Sequence, residues 1–479
     1  MTRKPRRLPL VLLALGLIHC GEPPAAPVED EALGEAPRSL GATRQATCVP
    51  AVRVGEFTPG RVSDLTDVEG TLFFTVDNAL WKSDATPEGT VLVRDFSPDE
   101  AGGGPRDLTE ARGLLFFVSG GTLWRSDGTE AGTFPLVTST LPGFDPHITP
   151  LREYRGRLFF RMIAPGLGEE LWSSDGTRAG TRLVADINPG PPSSTLFESV
   201  VTASGDFVFG AHLGEDEEEV VLLKLTRTGR LEELFRVRAS ETSIFSLTAV
   251  GDRLFFLIDP GDRGEASLYT SDGTPGGASL VKFFGRASTP RAFTAFDGRL
   301  FFVAEPEEEG DFFSMELWVS DGTPGGTHLF ADIRPGLEGA LPTGLTVFEG
   351  LLYFSADDGV HGRELWATDG TVEGTRLVQD IRPGTDGSGP YGLRSANRKL
   401  YFVADDGLHG AEPWKVYQGR ARLVTELVPG PVGSAPRVMG FDPDEEEVFF
   451  RSDGYVFFET GEDVGSLWAM KTGAYCPPR

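Results

Sequence analysis

Three cysteines, six histidines and five methionines are few for 479 residues. So small a stock of thiols and imidazoles leaves little material for zinc sites or histidine bases. No CxxC, HExxH, Walker loop or GxSxG occurs. Positive charge is also scarce: 44 Lys and Arg stand against 71 Asp and Glu, a net charge of −27. Nucleic-acid binding needs clustered Lys and Arg, so no nucleic-acid partner is expected. No apolar run is long enough to span a bilayer, and helical spacing of apolar residues is missing.

What the chain has instead is repetition. Glu-Leu-Trp-x-x-Asp-Gly-Thr occurs in full at Glu170 to Thr177, Glu316 to Thr323 and Glu364 to Thr371. Close variants sit at Leu80 to Thr86, Thr122 to Thr129 and Leu268 to Thr274. Upstream of each copy lies an apolar couplet, from Phe73-Phe74 and Phe116-Phe117 to Tyr401-Phe402 and Phe449-Phe450, 43 to 52 residues apart. Val208-Phe209 fills the one gap as a degenerate copy. A period of that length is one supersecondary unit that cannot bury its own faces, so the units must stack.

The unit from Leu345 to Gly384 shows four short runs of β-favouring residues, bounded by Gly, Pro and Asp. That is the size of a propeller blade. The expectation is an all-β propeller of about nine four-stranded blades. Asp-Gly-Thr reads first as turn chemistry: Asp accepts backbone amides two residues on, and Gly supplies a positive φ. Trp reads as a large apolar body between blades.

On these phrases the chain, over roughly Val54 to Ala474, resembles the bacterial ELWxxDGT-repeat family. The resemblance implies a repeat architecture and a secreted or surface setting, and it brings no catalytic residue. The phrase is also similar to the Asp-box of sialidase-like propellers.

The last repeat stops after its Leu467-Trp468 strand. Val54-Gly55-Glu56-Phe57-Thr58-Pro59-Gly60 aligns with Val378 to Gly384, so an N-terminal strand is expected to complete the last blade. Closure removes an open strand edge. In the same frame Cys48 and Cys476 fall on the equivalents of Val372 and Gly374, two residues apart. A disulfide sealing the ring is the expectation, against two unpaired thiols.

Residues 1–19 read as a signal peptide, with Arg3 to Arg7 ahead of the apolar Leu8 to Ile18. Leu17-Ile18-His19-Cys20 resembles a lipobox, although His19 replaces the usual small residue, so Cys20 is the expected lipidation site. Residues 20–46 read as the anchor and a flexible Pro/Ala/Glu-rich tether, and 47–479 as the propeller. The expected setting is export, anchored in the cell envelope or secreted, with membrane contact only through Cys20. A monomer is expected.

Loop lengths differ between the two faces of such a disk. From Trp81, Trp172, Trp318 and Trp366 the next strand's Leu follows after a constant interval, whereas the second-to-third-strand loops vary. Variation on one face fits recognition loops on a rigid scaffold, or simply an unconstrained face. On that face Asp357-Asp358, with Glu364, recurs as Asp405-Asp406, with Glu412. These carboxylates could hold Ca²⁺, and Asp-Gly is also ordinary turn chemistry. No other cofactor is expected. The favoured reading is a non-catalytic propeller binding a protein or glycan through its variable loops. The rival is a polysaccharide hydrolase or lyase with carboxylates at the central channel.

Overall fold

The computed structural model describes residues 51–57, 60–96, 103–139, 148–214, 219–238, 243–259, 266–284, 289–305, 314–336, 338–436, 448–460 and 466–472. Among them there is no α-helix, and the strands form nine four-stranded antiparallel sheets. Blades 1 to 8 span residues 62–95, 106–138, 148–185, 196–238, 243–283, 291–331, 343–379 and 391–423. Each is a simple meander, in which every strand pairs with the one before it. The innermost strands of successive blades contact one another, which arranges the sheets as a propeller ring.

Blade 9 closes the ring as the repeat frame requires. Ala51–Glu56 pairs antiparallel with Ser466–Lys471, with Arg53 opposite Trp468 and Gly55 opposite Leu467. Cys20, Cys48 and Cys476 lie outside the described residues. Blade 4 lacks Trp and Asp-Gly-Thr, yet its four strands pair like the rest. Leu222-Leu223 stands where other blades have Leu-Trp, and the same register shift precedes Leu223 as precedes Trp81 and Trp366.

In blades 1 to 8 the apolar couplets lie on the second strand and pair with the third, as Phe74 with Trp81 and Phe354 with Trp366. In blade 9 that place is held by Phe457-Phe458, with Phe458 opposite Trp468, whereas Phe450 falls on the first strand, against the expectation for Phe449-Phe450. Between sheets, a peg-and-cap contact repeats. Phe57, just past the closing strand, packs edge-on to Trp81 of blade 1 at 5.0 Å between centroids. Phe96 meets Trp124 of blade 2 at 5.2 Å, and Phe284 meets Trp318 of blade 6 at 5.8 Å. Ile333, Ile381 and Leu427 share clusters with Trp366, Trp414 and Trp468. Six blades thus lodge a residue from just past their last strand against the Trp of the next. Burying one such side chain contributes about 1.5–3 kcal/mol.

Candidate functional site

Asp-Gly-Thr builds a turn whose hydrogen bonds are spent internally. In blade 7, Asp369 Oδ1 accepts from Thr371 N at 2.9 Å and Thr371 Oγ1 at 2.7 Å, and Thr371 Oγ1 accepts from Gly374 N at 3.0 Å. Asp84, Asp127, Asp175 and Asp321 repeat the pattern. The Thr hydroxyl is the main reason these carboxyls sit below their usual range. The Gly five residues after each Asp permits the close approach: a Cβ on Gly374 would lie 2.1 Å from Asp369 Oδ1.

The Glu of the same phrase has a role that the sequence reading did not assign. Glu170, Glu316, Glu364 and Glu412 are all buried, and each reaches across to the loop leaving its blade. Glu170 accepts from Ile187 N and Ser194 Oγ, Glu364 from Arg382 N, Ser388 N and Ser388 Oγ, and Glu412 from Leu427 N, Val428 N and Ser434 Oγ. Glu316 accepts from Ile333, Arg334 and Ala340 amides, but Ala340 stands where the other blades offer a Ser hydroxyl. Burial is the leading influence on all four carboxyls and raises them, against these donors. Glu316, without the hydroxyl, is pushed up to about 7.

The six carboxylates considered for Ca²⁺ are divided among other partners. Asp357 binds Arg334 of the preceding loop at 2.6 Å, and Asp405 binds Arg382 at 3.0 Å. Asp358 and Asp406 accept from the amides two and three residues on, and each meets the Nδ1 of His361 or His409 at 2.7 Å. Glu364 and Glu412 are the loop anchors just described. Among the described residues no three His, Cys, Asp or Glu side chains gather as a metal site.

The axial channel carries a cavity of about 1020 Å³, lined by the inner strands of blades 1, 2, 7, 8 and 9. Its charged groups are Asp67, Glu69, Glu110 and Asp453 on one side of the balance, Arg394 and Arg451 on the other. The inner strands are bulged at one place. Register shifts fall at 63–66, 106–109, 245–248, 291–294, 343–346 and 391–394. Asp64, Asp107, Ser246 and Ala292 take φ of 50° to 57° there. Non-glycine residues pay for such a backbone, and bulges re-aim the side chains beside them. Thr109, Thr248, Thr294 and Thr346 tie the bulge down, each donating to the carbonyl two residues back.

Just beyond the bulge, pairing with the second strand defines one equivalent position per blade. From blade 1 to blade 9 it holds Asp67, Glu110, Glu153, Val201, Ala249, Ala295, Val347, Ser395 and Arg451. Five of these line the cavity. Asp67 accepts from Ser452 Oγ. Glu110 and Glu153 each use one oxygen to cap their turn, accepting from Gly113 N at 2.8 Å and Gly156 N at 2.6 Å. Burial and then the Asp107 charge push the neighbouring Asp64 carboxyl up, as expected on an acidic wall.

No protein-family model matches this chain, and no curated protein matches it. Solved structures do match in fold. Puromycin hydrolase is 15% identical over 74% of this chain and 60% of its own, with a TM-score of 0.37. Porphyromonas gingivalis dipeptidyl peptidase 4 is 12% identical over 79% and 60%, with a TM-score of 0.45. The β-propeller domain of the Trilobed protease from Pyrococcus furiosus is 12% identical over 70% and 99%, with a TM-score of 0.36. The chain spans about 60% of the length of the first two. These likenesses concern the propeller fold. They do correct the expectation of a non-catalytic module for protein or glycan on the variable loops, and of its polysaccharide-cleaving rival. Two of these three matches, dipeptidyl peptidase 4 and the Trilobed protease, are peptidases. The candidate carboxylates of the variable face are in addition committed to Arg, His and backbone amides.

Proposed function

We propose that this protein is a peptide-admitting propeller whose site is the mouth of the axial channel. The observation that carries the reading is the ring of equivalent positions in which three consecutive blades present Asp67, Glu110 and Glu153. The cavity that Asp67 and Glu110 line, about 1020 Å³, is large enough for several side chains of an extended segment. Carboxylates outnumber arginines along its wall, so the segment admitted is basic. The rigid peg-and-cap ring keeps the opening preformed, which limits the ordering cost of binding.

The test is fluorescence anisotropy of labelled hexalysine against the purified protein, with hexaglutamate as the control. Hexalysine should bind, weaken as salt rises, and lose about tenfold in affinity, equivalent to about 1.4 kcal/mol, in an Asp67→Asn, Glu110→Gln double variant. Equal binding of both peptides, or no effect of the double variant, overturns the proposal.

A further inference from the structure

The two walls of the channel differ in chemistry. Blades 1 to 3 carry Asp67, Glu110 and Glu153 at the equivalent position, whereas blades 4 to 7 carry Val201, Ala249, Ala295 and Val347. In a ring of nine, blade 2 stands across from blades 6 and 7. Glu110 therefore faces the side that holds Ala295 and Val347. Neither of these is covered by the fold: Ala295 is exposed, and Val347 is 41% exposed although β-branched and apolar. Val347 and Leu345, two residues before it, line the cavity itself; Leu65 and Leu108 hold Leu345's position in the acidic blades, so Val347 is what sets blade 7 apart.

A uniformly cationic segment would satisfy the acidic wall and leave the apolar wall wet. A purely apolar segment would strip water from Asp67 and Glu110 without replacing it. We infer that the channel's ligand is an amphipathic cation, a peptide with basic side chains along one side and apolar side chains along the other. This rests on the channel reading above and names the class of peptide it takes. An extended chain that alternates basic and apolar residues meets the requirement directly, because successive side chains point to opposite sides. Arg451, the one cation at the equivalent position, sits next to the acidic arc in blade 9. It marks the edge of the region where a ligand cation is welcome.

The experiment compares labelled alternating Lys-Leu and Lys-Ser hexapeptides, equal in charge, by anisotropy against the full protein. Lys-Leu should bind about tenfold more tightly than Lys-Ser. Val347→Ser or Ala295→Ser should bring Lys-Leu down to the Lys-Ser level and leave Lys-Ser unchanged. Both positions are solvent-exposed, so the fold is expected to survive, and a circular-dichroism melt verifies it. Arg451→Ala should tighten both peptides. Equal affinity of the two peptides, or indifference of Lys-Leu to both substitutions, overturns the inference. The two failures are separable: if Asp67→Asn with Glu110→Gln weakens Lys-Ser while Lys-Leu gains nothing, the amphipathic claim falls and the channel stands. If that double variant changes neither peptide, the channel reading itself falls.

Discussion

Replacing Glu316 by Gln isolates the cost of a buried charge in the repeat phrase. Glu316 is 2% exposed and its carboxyl is pushed up to about 7, from an ordinary 4.5, chiefly by burial and against three backbone amides. A carboxyl raised in the folded state contributes stability fully present below its unfolded pKa, and lost as pH rises through the folded one. The loss therefore falls between about pH 4.5 and pH 7. At 1.36 kcal/mol per unit it amounts to about 3 kcal/mol. Glu170, Glu364 and Glu412 shift in the same direction, and so do His361 and His409, so their contributions share the sign. The turn aspartates act oppositely, but below the ordinary Asp range, outside this window. Urea unfolding at pH 5 and pH 8 should show the wild type losing stability with pH, and Glu316→Gln losing about 3 kcal/mol less. Ala340→Ser, which restores the missing hydroxyl, should also shrink the loss. A Glu316→Gln protein that matches the wild type at pH 5 and is the less stable of the two at pH 8 would refute this. That outcome would mean that the amides hold the carboxylate more strongly than burial penalises it.

Three further tests bear on the frame of the molecule. Gly326→Ala would place a Cβ 2.1 Å from Asp321 Oδ1 and should cost about 1–3 kcal/mol by thermal denaturation, whereas Gly325→Ala, with open space around it, should be neutral or slightly stabilising. Cys48 and Cys476 should be recovered as one disulfide-linked pair in non-reducing peptide mapping, since the strands leading to them pair at Ala51 and Met470; two blockable thiols would end that idea. Cys20→Ala should move the protein out of the membrane fraction or leave its leader uncleaved; a wild type already soluble and cleaved elsewhere would show that His19 spoils the lipobox.

The parts of the fold legible in the sequence were those that every blade repeats in the same chemistry. Eight couplets marked the second strands of blades 1 to 8, the ninth blade's second strand carrying Phe457-Phe458 instead of Phe449-Phe450, and the match of Val54–Gly60 to Val378–Gly384 placed the closing strand, with Phe57 taking the place of Ile381 beneath Trp81. The Asp-Gly-Thr turn was readable because all its bonds lie within seven residues. The Glu of the phrase was not, because its partners lie 15 to 24 residues downstream in loops of differing sequence. Asp357 and Asp405 invited a metal reading for a similar reason: Arg334 and Arg382, which neutralise them, come from the preceding blade's exit loop. The channel ring left no motif at all. Asp67, Val201 and Arg451 share a position without sharing chemistry, and only strand register reveals that they are equivalent.

The most direct measurement is photo-crosslinking of an alternating Lys-Leu peptide to the full protein, with the sites mapped by mass spectrometry. Crosslinks are expected on the channel strands, within residues 62–70, 106–113 and 343–348. Crosslinks gathered instead on the loops at 357–363 and 405–411 would contradict the channel reading.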